Sequence, residues 1–241
     1  MLRSLLHGGK GSEKYFFGEG IKAIMSLLEG FSVEILLTSE SFYPEIEDQL
    51  AGYPIQITTD RLWQGLSELD SPPKLIGIFQ RPDPKPLLVL NSVVVLDRIQ
   101  DPGNLGTLIR TAVASGWEDL ICLEGTCDPY SPKVVRACAG SLGGLNVYIK
   151  ISDTTLKKLI DTCGLTPIES VVSGGKALKN LREIKKPCLL LGNEGQGLSA
   201  GLQGMDRALK ITLPNLKPSK VESLNVAVAG GILLYGLKGL I

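Results

Sequence analysis

Histidine is almost missing: His7 is the only one in 241 residues, so imidazole supplies neither a metal cluster nor a proton relay through the body of the chain. Charge of one sign is missing too. Lys and Arg number 25 and Asp and Glu 25, for a net charge of +0. The whole chain therefore carries no electrostatic footprint for nucleic acid, and any such site has to be a local patch. The five cysteines (Cys122, Cys127, Cys138, Cys163, Cys188) contain no CxxC pair and sit mostly in apolar runs. This pattern suits buried thiols in a reducing compartment better than disulfides or zinc, and no metal is expected. No uninterrupted apolar run reaches membrane length, and Met1 to Lys10 has too short an apolar core for a secretory signal. A soluble cytoplasmic protein is expected, with an organelle stroma or matrix, after trimming of a transit segment, as the alternative.

What is present is enough apolar material, 44% of residues, to bury a real core in one large domain or two modest ones. Two are expected. Helical spacing runs through Ile21, Ile24, Met25 and Leu28, within Glu19 to Leu28, and Val33 to Leu37 reads as a strand. The alternation continues with a helix near Tyr43 to Leu50, a strand at Ile55 to Ile57, a helix from Asp60 to Leu69 and a strand at Leu75 to Phe79. This first α/β unit, 1–80, ends at a stiff proline-punctuated linker, 81–87, and a second domain spans 88–241. The early and linker-side basic residues, Arg3, Lys10, Lys14, Lys22, Lys74, Arg81 and Lys85, read first as solvated surface.

Beyond the linker, apolar strands are expected at Val93 to Leu96, Leu120 to Leu123, Val147 to Ile149, Val171-Val172, Cys188 to Leu191 and Leu209 to Leu213. Near-continuous apolar strands alternating with helices imply a parallel sheet covered on both faces. Ligands of such sheets sit at the carboxyl ends of strands, which directs attention to the loops after Leu96, Leu191 and Leu213.

The first loop runs from Asp97 through Asp101-Pro102-Gly103-Asn104 into a helix whose buried stripe is Leu105, Leu108, Ile109 and Ala112. Asn104 stands where an N-cap belongs, and Arg110 falls off the stripe, able to face a cleft. The second loop, Gly192-Asn193-Glu194-Gly195-Gln196-Gly197, has the glycines of a phosphate cradle, but not the GxGxxG spacing, and Glu194 would repel a phosphate. The third stretch, Leu213-Pro214 through Ser223-Leu224-Asn225, leads into an apolar helix lined by Ala227, Ala229, Gly230 and Gly231. Ser219 and Glu222 read as its capping box. From Val226 to Leu237 this helix has no strongly polar face, and Ile232, Leu233 or Leu237 would meet water unless a second chain covered them.

Together the three stretches resemble, in order, the three signature motifs of the SpoU (TrmH) family of RNA ribose methyltransferases, within the SPOUT class. Asp101 to Gly106 with Arg110 match the first motif, Leu191 to Gly197 the second, and Leu213-Pro214 through Ser223 to Ala227 the third. The resemblance extends from about Leu88 to the C-terminus. More weakly, Lys14-Tyr15-Phe16 and Glu19-Gly20 resemble the opening of the RNA-binding domain that many members carry, a fold shared with some ribosomal proteins. Two stretches depart from the pattern: Pro214 to Ser223 is longer than usual, and Gly11-Ser12-Glu13 stands where basic residues are common. Both bear on the choice of substrate rather than on cofactor use.

The resemblance implies an S-adenosylmethionine-dependent transfer of methyl to a ribose 2′-hydroxyl of RNA, ribosomal RNA before transfer RNA. It also implies a C-terminal domain with a trefoil knot and a homodimer formed through the last helix. It casts Arg110 as the group that handles the hydroxyl proton, assisted by an RNA phosphate. A purely electrostatic role is the rival, because a guanidinium stays protonated at any working pH. Asn104, Ser223 and Asn225 would orient Arg110 and the ribose, and Glu194 would tie the loops together. The cofactor would be held by backbone groups at Leu191, Gly192, Leu213 and Leu224 and by the Ser173-Gly174 loop. A dinucleotide-binding oxidoreductase, resting on the glycine loop alone, and a non-catalytic RNA-binding assembly factor are the other readings considered.

Overall fold

The computed structural model of the chain describes residues 13–64, 73–83, 86, 90–178, 184–214, 220 and 223–241. They fall into two compact units that are not contiguous in sequence. One takes Met1–Asp83 together with Pro129–Gly143, and the other takes Pro84–Asp128 and Gly144–Ile241.

The first unit contains β1 (Tyr15–Glu19), α1 (Ile21–Gly30), β2 (Val33–Ser39), β3 (Ile55–Thr58), α2 (Asp60–Gln64) and β4 (Leu75–Gln80). Its sheet has the order β1-β4-β2-β3, with β4 antiparallel to both neighbours and β2 parallel to β3. Gly20, at a φ of +83°, separates β1 from α1, so Glu19 ends a strand rather than starting the helix. Two short 3₁₀ turns, Tyr43–Glu45 and Asp48–Leu50, replace the expected helix over 43–50. Pro44 lies at the start of the first turn and lacks the N–H that a longer helix would use. The helix expected from Asp60 to Leu69 is described as far as Gln64, and its remainder lies outside the described residues.

The second segment of this unit carries α4 (Pro132–Ala137). Tyr130 packs with Phe16, ring centroids 5.2 Å apart, and Phe16 stacks on Phe79 at 5.5 Å. Ser26 Oγ donates to the Gly140 carbonyl at 3.2 Å, and Arg136 pairs with Glu19 at 2.6 Å. A Cβ on Gly30 would come within 2.7 Å of the Gly143 Cα, so this seam depends on backbone against backbone.

The second unit contains β5 (Val93–Asp97), α3 (Pro102–Ala114), β6 (Asp119–Leu123), β7 (Asn146–Ile151), α5 (Asp153–Cys163), β8 (Thr166–Ser170), β9 (Pro187–Gly192), β10 (Leu209–Ile211) and α6 (Val226–Leu237). Its six strands are all parallel, in the order β10-β8-β9-β5-β6-β7. This is the expected parallel sheet. β5 and β9 are buried on both sides because strand side chains alternate between faces. Val93, Val95, Cys188 and Leu190 meet α5 through Leu156, Leu159 and Ile160. Leu191 points the other way, to α6. The expected strand at Val171-Val172 lies instead at Thr166–Ser170; Val171 only donates its N–H to the Ile211 carbonyl, and Val172 is 66% exposed. β-branching favours a strand, but β8 leaves the ladder before this pair although β9 runs on to Gly192.

Asn225 caps α6, its Oδ1 accepting from the amides of Ala227 at 2.9 Å and Val228 at 3.2 Å. The capping box expected at Ser219 and Glu222 lies outside the described residues. Leu233 and Leu237, expected to face water, are buried within the one chain, whereas Ile232 is partly covered and Val228 is 54% exposed. The correction has a steric cause. Gly230 lets α6 approach α3 and β9 so closely that a Cβ there would lie 2.4 Å from Leu108 Cδ2 and 2.9 Å from Leu191 Cδ1. Trp117, just beyond the end of α3, adds a contact, its Nε1 donating to the Leu234 carbonyl at 3.1 Å.

Gly230→Val should therefore force these helices apart and destabilise the second unit by about 1–3 kcal/mol. Urea unfolding followed by tryptophan fluorescence measures this, and a midpoint equal to wild type would contradict the packing described.

Candidate active site

Four adjacent strands, β5, β9, β8 and β10, bring their carboxyl ends to one edge, as a parallel sheet must. The ladder between β8 and β9 stops at Glu169 and Leu190, while β9 continues beside β5 through Leu96–Leu191 and Asp97–Gly192. Leu191 and Gly192 thus run past their neighbour on one side, leaving a crevice of the kind in which such sheets bind ligands.

Asp101, and not Asn104, is the cap of α3: its Oδ1 accepts from the Asn104 amide at 2.7 Å, with Pro102 at the first helical position. The Asn104 side chain is thereby released for other work. Its Nδ2 donates to Glu194 Oε1 at 2.8 Å, and its Oδ1 accepts from Asn225 Nδ2 at 3.0 Å. One carboxamide joins the loops after β5 and β9 to the start of α6. Arg110 lies six residues along α3, about 9 Å further along the axis. It is exposed and forms no hydrogen bond or ion pair with any described residue. Ser223 and Leu224 are exposed beside Asn225 and take no part in this chain of bonds.

The loop after β9 is closed on itself. Asn193 Oδ1 accepts from the amides of Gly195 and Gln196 at 3.0 and 3.1 Å, and the backbones of Asn193 and Gly197 bond in both directions. Those N–H groups are occupied, so the loop is no phosphate cradle, and the dinucleotide reading loses its one support. Gly192 is required for a local reason. A Cβ there would sit 2.3 Å from the Gly197 carbonyl carbon and 2.4 Å from the Leu198 nitrogen.

Arg98 braces the same loop from β5. It holds a φ of +56°, and its side chain donates to Asp97 Oδ1 at 3.0 Å, to Gln196 Oε1 at 2.9 Å and to the Gly197 carbonyl at 3.1 Å. Asn193 Nδ2 donates back to the Arg98 carbonyl at 3.0 Å. Asp97, Arg98, Asn193 and Gln196 were not singled out by sequence reasoning. The one signal available was a charged pair at the end of a buried strand.

On the far side of the crevice, the Ser173-Gly174 loop turns at Gly174, φ +77°, and Gly175 then donates to Thr212 Oγ1 at 2.8 Å. A Cβ on Gly175 would lie 2.6 Å from the Thr212 nitrogen. This loop is thereby set against the end of β10, next to Leu213. Cys127 lies near this edge as a half-buried thiol pushed up to about 11, by burial first and then by Asp101 and Asp128. It is no nucleophile at neutral pH. None of the five cysteines forms a disulfide, and the described residues include no cluster of metal ligands. Among the described residues no helix is long and apolar enough to cross a membrane.

A parallel sheet whose strand-end loops are joined through Asn104, with the exposed Arg110 on α3, is built to hold a ligand at the carboxyl ends of its strands. The chain belongs to the SpoU rRNA methylase family, whose model matches residues 91–235. It is 30% identical over 214 residues to the Bacillus subtilis 23S rRNA (guanosine(2553)-2′-O)-methyltransferase RlmP, covering 87% of this chain and 82% of that protein. An uncharacterized tRNA/rRNA methyltransferase of Synechocystis is 39% identical over 142 residues, 59% of this chain; the match spans about half of that relative, 51%. Among solved structures, the AdoMet-bound rRNA methyltransferase from Sinorhizobium meliloti superposes with a TM-score of 0.83 at 27% identity, covering 99% of this chain and 92% of that one.

Asn104→Asp keeps an acceptor for Asn225 but sets a carboxylate against Glu194. Two carboxylates so close repel each other and destabilise the fold, and the repulsion is relieved when acid protonates one of them. Thermal midpoints of Asn104→Asp and Asn104→Ala should therefore diverge at pH 7 and converge near pH 4. A difference independent of pH would refute the bond to Glu194.

Proposed function

We propose that the chain transfers the methyl group of S-adenosylmethionine to a ribose 2′-hydroxyl of ribosomal RNA. The observation that carries this reading is the Glu194–Asn104–Asn225 chain of bonds, which sets three strand-end loops around a crevice while the side chain of Arg110, on the same helix, has no partner among the described residues. Names of relatives and structural neighbours, a 23S rRNA 2′-O-methyltransferase and an AdoMet-bound rRNA methyltransferase, support the substrate and the donor.

The donor supplies a methyl group activated on a positively charged sulfur. The residues fit such a group: the unflanked backbone of Leu191 and Gly192, the turn at Ser173-Gly174, Leu213, and the exposed apolar side chains of Leu224 and Val172 line one strand edge. The ribose oxygen must lose its proton as it attacks. Arg110 places its guanidinium on that oxygen, stabilising the charge left there, and on a neighbouring RNA phosphate, which receives the proton and passes it to water, a pairing its planar fork suits. Asn104 and Asn225 fix the helix ends that carry it, and Ser223 is free to meet the ribose. The first unit is the RNA-holding part, the second unit carries a trefoil knot, and the protein works in the cytoplasm, where its five thiols, none of them in a disulfide, stay reduced.

Arg110→Ala should lower turnover at least ~100-fold with little change in S-adenosylmethionine affinity, and Arg110→Lys should not restore it. Single-turnover methylation of ribosomal RNA with calorimetry of the donor tests this, and near-normal turnover in the alanine variant would remove Arg110 from the reaction. Mapping ribose methylation in cells with and without the protein tests the substrate, and loss of a mark on transfer RNA alone would overturn ribosomal RNA.

A homodimer through α6 completes the proposal. Leu224, Val228, Leu240 and Ile241 are exposed apolar residues at this end of the chain, where a second copy would cover them. Because Leu233 is buried inside the chain, a charge there would disrupt the fold itself, and Val228→Arg is the cleaner probe. Light scattering should find the wild type dimeric and Val228→Arg monomeric with weakened activity. A wild type that is monomeric at micromolar concentration and fully active would sink the dimer.

A further inference from the structure

We infer that Arg98 is a positioning residue for the methyl donor: its guanidinium, locked on Asp97, Gln196 and Gly197, holds the loop after β9 in its binding shape. The inference rests on the reading of that loop as part of the donor site. Three features point to it. The first is conformational. Arg98 holds a φ of +56°, a region L side chains avoid, and such strain persists only where surrounding contacts over-determine it. Here the contacts are present on every side, since the Arg98 amide donates to Thr126 Oγ1 at 3.0 Å and its carbonyl accepts from Asn193 Nδ2.

The second is electrostatic. Asp97 is buried, and Arg98 Nε at 3.0 Å is its counter-charge, while the other Asp97 oxygen accepts from the Ser199 amide at the exit of the loop. The third is geometric. Nη1 reaches Gln196 Oε1 and Nη2 reaches the Gly197 carbonyl, two neighbouring points on the loop gripped by one planar fork. Lysine has a single ammonium and no such fork. The loop is thus pinned at its entrance through Asn193, at its crest through Gln196 and Gly197, and at its exit through Ser199, with Arg98 or its ion-pair partner at each pin.

The test compares R98G, R98K and Q196A in the full chain. R98G keeps the positive φ without steric cost and retains the main-chain bonds, so it removes the guanidinium alone. Calorimetry should show S-adenosylmethionine binding weakened at least ~10-fold in R98G and R98K and about 3-fold in Q196A, which leaves the Asp97 pair intact. At saturating donor, kcat should stay within about 3-fold of wild type while the donor KM rises. Hydrogen exchange at Gly195, Gln196 and Gly197 should quicken in all three variants, and exchange in β5 should not. Should R98G fold poorly because Asp97 is left unpaired, Q196A decides. Wild-type affinity and exchange in Q196A, or wild-type affinity in a folded R98G, would overturn the role of Arg98. A wild-type protein that does not bind S-adenosylmethionine would instead overturn the function on which the inference rests.

Discussion

The site depends on one primary amide. Asn104 must donate to a carboxylate on one side and accept from another amide on the other, and only a carboxamide has an N–H₂ and a C=O fixed in a single plane for both tasks. A carboxylate there would repel Glu194, and a hydroxyl would be too short to span two loops. The amide is available only because Asp101 takes over the helix cap, so the Asp-Pro-Gly-Asn run divides labour: one side chain ends the helix and another, one turn on, joins the loops.

Close approach is the second constraint. Gly192 permits the loop after β9 to fold back onto its own backbone, and Gly230 permits α6 to rest on α3 and on Leu191. Those two contacts carry Asn104, Glu194 and Asn225 to within hydrogen-bond reach of each other. The small residues of the last helix therefore act at a distance from the chemistry, by setting how near its capped end comes to the first motif. The same packing buries Leu233 and Leu237 and leaves the apolar surplus at Leu224, Val228 and the C-terminal residues.

Much of this was legible in the sequence. The parallel sheet and the loops at its strand ends were readable from apolar runs and turn-formers, whereas Asn104, Glu194, Asn225 and Arg110 stood out as a set only through the resemblance to the family's motifs. Some mistakes were local: Pro44 interrupts the expected helix over 43–50, and Asn104 looks like a cap until Asp101, three residues earlier, is seen to occupy that role. Others turned on a partner distant in sequence. Leu233 appears surplus on a uniformly apolar helix, yet it is buried once Gly230 brings that helix against Leu108 and Leu191. Pro129–Gly143 joins the first unit through glycine contacts and the ring of Tyr130, a pairing that no local pattern records. Nor does anything local explain why an arginine rather than a glycine occupies position 98; its reason lies almost a hundred residues away, at Gln196 and Gly197.

The loop after β9 also explains why a chain with glycines at a strand end is suited to a cationic donor and not to a dinucleotide. A pyrophosphate is bound by unoccupied N–H groups pointing at it, with positive charge nearby. Here the amides of Gly195, Gln196 and Gly197 are all taken by Asn193, the guanidinium of Arg98 is spent on Asp97 and the loop, and the exposed charge contributed at the crest is the carboxylate of Glu194. Such a loop withholds those three amides from an anion and meets it with like charge. A sulfonium carries no acceptor that needs those amides, and its charge is of the sign that a carboxylate favours. The glycines serve the backbone of the loop itself, and the polarity of the crevice follows from which side chains have been used to hold it shut.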